Sequence, residues 1–169
     1  MGGHWGAELK YAGYDGIVVQ GKASKPVYVW IDDDQVEIRD AASLWGKGNY
    51  GTTRSLRMAH GPRTRVISCG PAGERLSRIA VIQTETGNAA GQGGFGGVMG
   101  SKNLKAIAVR GTGGVRIARP QAFLDLCMNG GREGLGPGVP ASIKAYHKQM
   151  AERSSGTGTT FRWRKCGFC

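Results

Sequence analysis

Residues 87–107 read GNAAGQGGFGGVMGSKNLKAI, with six glycines from Gly91 to Gly100 and an exit through Lys102, Asn103 and Lys105. So much bare backbone limits what the chain can build. A flexible linker would be Ser-rich and would not run straight into a strand, yet KAIAVRGT at 105–112 reads as one. Two arrangements remain. In one, amides with no side chain in the way converge on phosphate oxygens. In the other, the glycines form a compact turn that lets strands 79–83 and 105–111 pack closely. Spacing excludes the two common nucleotide loops. G-x-x-x-x-G-K-[ST] is absent, and Ser101-Lys102 reverses the order it needs. Gly91-Gln92-Gly93-Gly94-Phe95-Gly96 matches G-x-G-x-x-G in letters, but no strand directly precedes it and no acidic residue stands about 20 positions on.

Glycine is abundant throughout, 30 of 169 residues, without the every-third period of collagen. Its scatter through apolar segments points to turns and close backbone contacts. Strand signals dominate the first part. Residues 16–21, GIVVQG, read as a short buried strand. PVYVWI and VEIRD, either side of Asp32-Asp33-Asp34, read as a hairpin over 26–40 with a solvated turn. A helical turn at Ser43–Trp45 and a short helix near Thr53–Ala59 follow, then strands at 64–70 and 79–83. After Pro120 the pattern turns helical, over 120–133 and 141–153, with a loop at 154–160. The order implies an α+β domain over residues 1–115, followed over 116–169 by a short helical segment. The opening GGHWGAELKYAGYDG and the closing FRWRKCGFC read as an internal stretch of a longer protein.

The net charge of +11 is unevenly placed. Residues 1–60 balance, whereas residues 61–169 carry the whole excess and favour an anionic partner or a solvated basic surface. A nucleic-acid-binding module is disfavoured, because the tryptophans are not interleaved with basic residues except in FRWRK. No apolar run approaches the ~20 residues of a membrane span, so no membrane partner is expected. MGGHWGAELKY lacks the pattern of a signal peptide, and four cysteines are too few for a secreted disulfide scaffold, which points to the cytoplasm.

Cys166 and Cys169 form a C-x-x-C, a spacing that brings two sulfurs to one side of a turn. Spacing alone leaves zinc, an iron–sulfur cluster, a redox pair and free thiols open. Arg162, Arg164 and Lys165 would lower the thiol pKa values. Cys69 and Cys127 lie in apolar segments and are expected in the core. His4, beside Gly2, Gly3 and Trp5, is a candidate acid or base or else a structural histidine, and His60 and His147 carry less signal. No Ser/His/Asp set, HExxH or spaced carboxylate pair occurs, so no catalytic residue is assigned.

Taken together, GGHWGAELKYAGYDGIVVQGKASKPVYVWIDDDQVEIRDAASLWGK, SCGPAGERLSRIAVI and AAGQGGFGGVMGSKNLKAIAVRGT resemble, in order over residues 2–112, the tungsten-containing aldehyde ferredoxin oxidoreductase family. The resemblance implies an α+β base with a mixed β-sheet under a tungstopterin: tungsten, or molybdenum, between the dithiolenes of two molybdopterins, with a nearby [4Fe–4S] cluster passing electrons to ferredoxin or another electron-transfer subunit. It implies oxidation of an aldehyde to a carboxylic acid, or, in a related branch, reduction of an aromatic acyl-CoA. A non-catalytic scaffold and a homo-oligomer are compatible with it. Carried over by position, Gly2, Gly3, Gly91, Gln92, Gly93 and Gly94 would lie near the pterin phosphates, with Lys102 and Lys105 adding charge, and Cys166 and Cys169 would be two cluster ligands. Gln92 stands where many members carry Arg, and Phe95 where a smaller aliphatic residue is common.

Overall fold

A computed structural model of the chain describes residues 2–130. One compact unit runs to Val115, and a second begins at Arg116. In the first, strands β1 (Val27–Asp32), β2 (Gln35–Asp40), β3 (Arg65–Cys69), β4 (Ile82–Thr84), β5 (Ala89–Ala90) and β6 (Leu104–Arg110) form one sheet in the order β2-β1-β6-β3-β4-β5. Only the β1–β6 pair is parallel, so the sheet is mixed, as the family resemblance implies. Helices α1 (Trp5–Tyr11), α2 (Asn49–His60), α3 (Pro71–Glu74) and α4 (Phe95–Ser101) belong to this unit, and α5 (Pro120–Gly130) to the second.

Strand alternation assigns the core. Val29, Ile31, Ile67, Cys69, Ile107 and Val109 face one side with Leu9 of α1 and Met99 of α4. Tyr28, Trp30, Val66, Ala106 and Ala108 face the other with Leu44 and Leu56. The two small alanines of β6 leave room on that side for α2, whose Leu56 is 2% exposed. His60, the last residue of α2, stacks on Trp30 with ring centroids 3.9 Å apart and shares a hydrogen bond with the Tyr28 hydroxyl at 3.1 Å. Burial, followed by the Arg39 charge, pushes the His60 pKa down from its ordinary value.

The 26–40 hairpin forms with Val27 opposite Asp40 and Asp32 opposite Gln35. Its aspartates are not simply solvated. Asp32 holds Arg110 through two bonds of 2.8 and 2.5 Å, and Asp33 accepts from the Thr112 hydroxyl and amide, each at 2.7 Å. Those two donors, the hydroxyl first, hold the Asp33 carboxyl below its usual value. The hairpin tip therefore anchors the chain where it leaves β6.

Several expectations are corrected. Residues 16–21 are not a strand: Val18 is 85% exposed, and Ile17 and Val19 only pack partly against the core. Among the described residues no strand pairs with this stretch, and Gly21 turns it away with a φ of 75°. The helix expected near Thr53–Ala59 begins earlier, at Asn49. The strand expected at 79–83 is shorter and later, because after α3 and its cap a second turn, closed by Ala80 N donating to Ser77 O at 3.1 Å, occupies residues 77–80. That cap is a Schellman arrangement with leucine at the left-handed position. Leu76 (φ 61°) donates to Gly73 O and Ser77 to Ala72 O. Cys127 is exposed on α5 and not in a core. The helix at 141–153, the loop at 154–160 and His147 lie outside the described residues.

Cys69 is buried, donates from Sγ to Leu104 O at 3.4 Å, and is pushed by burial up to about 11. A thiolate is the reacting species. Iodoacetamide at pH 8 is therefore expected to modify Cys127 and spare Cys69 until denaturant is added, as peptide mapping would read. Labelling of Cys69 at the rate of Cys127 in the native chain would contradict its place in the core.

Among the described residues no helix is long and apolar enough to cross a membrane.

Candidate functional site

The glycine segment contains a helix that the sequence reading missed. Its glycines mostly serve close packing. A Cβ on Gly96 would stand 2.5 Å from Val81 O, and one on Gly97 2.9 Å from Ser77 O. A Cβ on Gly94 or Gly100 would drive into the carbonyl oxygen of Arg78 or Gly73, respectively. Helix α4 thus lies flat on α3 and on the backbone of residues 77–81. Glycine has weak helix propensity, but here it is the only residue type that fits. For these four positions the compact-packing reading holds.

Gly91 and Gly93 are different. A Cβ on Gly91 would meet nothing nearer than Val81 Cγ1 at 3.9 Å. Gly93, at φ 104°, needs glycine for its backbone angle. Among the described residues, the amides of residues 91–94 donate to no protein acceptor. Gly94 is buried, yet its amide too lacks a partner. This turn keeps the donor groups that an anion would use.

Just upstream, β4 and β5 form a short hairpin with its turn at residues 85–88. Thr84 N donates to Asn88 O at 2.8 Å, and the Thr86 hydroxyl donates to Asn88 Oδ1 at 2.7 Å. The buried Asn49 side chain supports the hairpin from α2, donating to Thr84 O at 2.8 Å and accepting from the Ser68 hydroxyl at 2.6 Å. Gly2 and Gly3 lie against this turn. A Cβ on Gly2 would stand 2.6 Å from Asn88 Nδ2, and one on Gly3 2.8 Å from Thr86 Oγ1. The structure therefore brings Gly2 and Gly3 to the turn end of β5, and Gly91, Gln92, Gly93 and Gly94 follow from its other end. The two segments singled out in the sequence, some 90 residues apart, thus flank one two-residue strand.

The electrostatics suit an anion. No Asp or Glu occurs between Glu85 and Asp125. Glu85, whose side chain is 4% exposed, is neutralised by Arg65 at 3.5 Å and Arg57 at 3.7 Å and accepts from Val66 N. Lys105 does not add charge to this site, contrary to the sequence expectation. It is fully buried, and its Nζ donates to Lys47 O, Cys69 O and Glu74 Oε1 at 2.6, 2.9 and 2.5 Å. Lys102 Nζ donates to Gly21 O at 3.1 Å. His4 stands before α1 without a side-chain capping bond. Cys166 and Cys169 lie outside the described residues, and among those described no cluster of His, Cys, Asp or Glu could hold a metal.

Asn49, Glu74 and the buried state of Lys105 were not found from the sequence. The usable signal was a lysine set between Leu104 and Ala106 in an otherwise apolar strand, which marks a buried charge in need of a partner.

A family model described as aldehyde ferredoxin oxidoreductase, N-terminal domain, matches residues 1–111. The tungsten-containing aldehyde ferredoxin oxidoreductase of Pyrococcus furiosus is 54% identical over 124 residues, covering 73% of this chain and 20% of that protein. The WOR-like subunit of an aliphatic sulfonate oxidoreductase from the same organism is 45% identical over 121 residues, or 64% of this chain and 19% of that one. Among solved structures, the active site complex BamBC of benzoyl coenzyme A reductase, in complex with 1,5-dienoyl-CoA, matches with a TM-score of 0.72 and 39% identity, over 88% of this chain and 21% of that chain. The chain spans about a fifth of the length of the curated relatives it matches.

Proposed function

The chain belongs to the aldehyde ferredoxin oxidoreductase family, and on that footing we propose that it supplies part of the pterin-binding base of a tungsten or molybdenum oxidoreductase. The observation that carries this reading is the turn at Gly91–Gly94, whose amides donate to no described protein acceptor, at one end of β5, with Gly2 and Gly3 against the hairpin turn at its other end and no Asp or Glu between residues 86 and 124. Such a donor set fits phosphate oxygens. Residues 1–115 would form the pterin-binding α+β domain, and 116–169 the start of a helical region. Gly2, Gly3, Gly91, Gln92, Gly93 and Gly94 would face the pterin phosphates, and Cys166 and Cys169 would ligate a [4Fe–4S] cluster.

When bound, the tungstopterin supplies the two-electron chemistry at its metal. The residues of this chain hold and orient it: the packed glycines of α4 fix the turn, Asn49 fixes the hairpin, and the paired Glu85 keeps negative charge from the site. The reaction proposed for the whole protein is oxidation of an aldehyde to a carboxylic acid, with electrons passing through the cluster to ferredoxin. Relatives of that kind reach 54% identity. A second reading, reduction of an aromatic acyl-CoA, is favoured by the likeness to the benzoyl coenzyme A reductase complex. Remaining parts of the site would come from family-length sequence outside this chain. We place the protein in the cytoplasm, the reducing compartment that its few cysteines favour.

The whole protein, expressed anaerobically, is expected to contain tungsten or molybdenum together with iron by plasma mass spectrometry, and to reduce a ferredoxin or viologen with aldehydes. A metal-free protein that retains the activity would overturn the proposal.

A further inference from the structure

Gln92 leaves the anion turn without a charge of its own, so the question is which cation the fold brings there. Most are spent elsewhere. Lys105 is enclosed, Lys102 holds Gly21 O, Arg57 and Arg65 hold Glu85, and Arg110 holds Asp32. Arg78 is exposed and makes no ion pair or hydrogen bond through its side chain among the described residues. Its backbone is built into the site. The space where Gly94 lacks a Cβ is filled by Arg78, with Arg78 Cα 3.6 Å from the position that Cβ would take. The Schellman cap at Leu76 sets this course, turning residues 77–80 under α4, where Gly96 N donates to Ala80 O at 3.0 Å. Gly94, with a φ of 70°, is thus held against the backbone of Arg78, whose guanidinium has no partner among the described residues.

We propose that Arg78 is the cationic anchor of this turn, binding the phosphate oxygens of the ligand whose other oxygens take the amides of Gly91–Gly94. The inference rests on the phosphate reading of the turn given above. A guanidinium offers two parallel N–H donors to a phosphate and stays charged at all working pH values. It supplies from the neighbouring segment the charge that position 92 lacks.

The test uses the full chain, labelled with nitrogen-15, and inorganic pyrophosphate as probe. Pyrophosphate is expected to shift the amide resonances of Gly91, Gly93 and Gly94. Arg78→Gln is expected to weaken that binding by about 10-fold or more. Adding Gln92→Arg to Arg78→Gln is expected to restore it, and an unchanged amide spectrum of the free variants shows that the fold is kept. In the whole protein, Arg78→Gln is expected to lower the pterin bound per chain, read as fluorescence of the released, oxidised pterin. If the three amides shift but Arg78→Gln binds as the parent does, the role of Arg78 is overturned and the phosphate reading stands. If pyrophosphate shifts none of them, the phosphate reading falls and the inference with it. Weaker pyrophosphate binding with unchanged pterin content would also overturn the assignment, since Arg78 would then hold free phosphate and not the cofactor.

Discussion

Lys105→Met is expected to destabilise the first unit by about 3–5 kcal/mol, read as a lowered midpoint in urea unfolding. The side chain is fully buried, and its three protons go to three acceptors, Lys47 O, Cys69 O and Glu74 Oε1. Methionine has nearly the right shape and no protons to give. The Glu74 carboxylate, 4% exposed, would keep only the Gly46 amide, at 3.0 and 2.9 Å from its two oxygens, and lose its cation. Breaking one partner of a buried pair costs more than removing both. Lys105→Met with Glu74→Met is therefore expected to recover most of the loss. A single variant that unfolds within about 0.5 kcal/mol of the parent would show that the pair is not enclosed as described.

Gly100→Ala is the second large effect, and its sign is the informative part. In an open helix, Gly→Ala stabilises by up to about 1 kcal/mol. Here the new methyl would overlap Gly73 O and stand 2.6 Å from Gly73 C and 3.1 Å from Glu74 Cα. All three are backbone atoms, so α3 and α4 must separate, at an expected cost of about 1–3 kcal/mol or more. Gly51→Ala on α2 is the matched control, since its Cβ would only touch Lys47 Cβ at 3.7 Å. Thermal unfolding of the two variants should move in opposite directions, or at least differ strongly. Equal shifts would mean that α3 and α4 do not pack at this distance.

What the sequence made legible follows from how local each signal is. The 26–40 hairpin and the strand at 105–112 were readable because β-branched and aromatic residues sit between clear turns, and their partners are either adjacent or strongly patterned. Helix α4 was not readable, because each of its glycines votes against a helix and the packing that selects them lies 15 to 27 residues upstream in α3 and residues 77–81. GIVVQG failed in the opposite direction: its local signal was strong, but no strand stands beside it. Of the candidate site, Gly2, Gly3 and the Gly91–Gly94 turn stood out by their glycines, and of the two readings of the segment the structure shows the close packing, at Gly94, Gly96, Gly97 and Gly100. The amides of residues 91–94 have no described protein acceptor, and phosphate binding there is the proposal. Lys105 was misjudged because its charge suggested the surface, while its neighbours, Leu104 and Ala106, placed it in the core.

The placement of β6 has a consequence for the order in which this protein can be made. Both of its neighbours are distant in sequence: β6 sits between β1 and β3, and its parallel partner β1 lies more than 70 residues earlier in the chain. The β1–β2 hairpin and the β3–β4 pair can each form alone, but as separate pieces, with the seam between them open. A ribosome must therefore release residues up to Arg110 before the two halves can be joined. Until then Val29, Ile31 and Ile67 have one flank exposed, and a late, long-range closure of this kind folds slowly and offers sheet edges to other chains. Synthesis of the whole protein at low temperature, or with a chaperone in attendance, protects that interval.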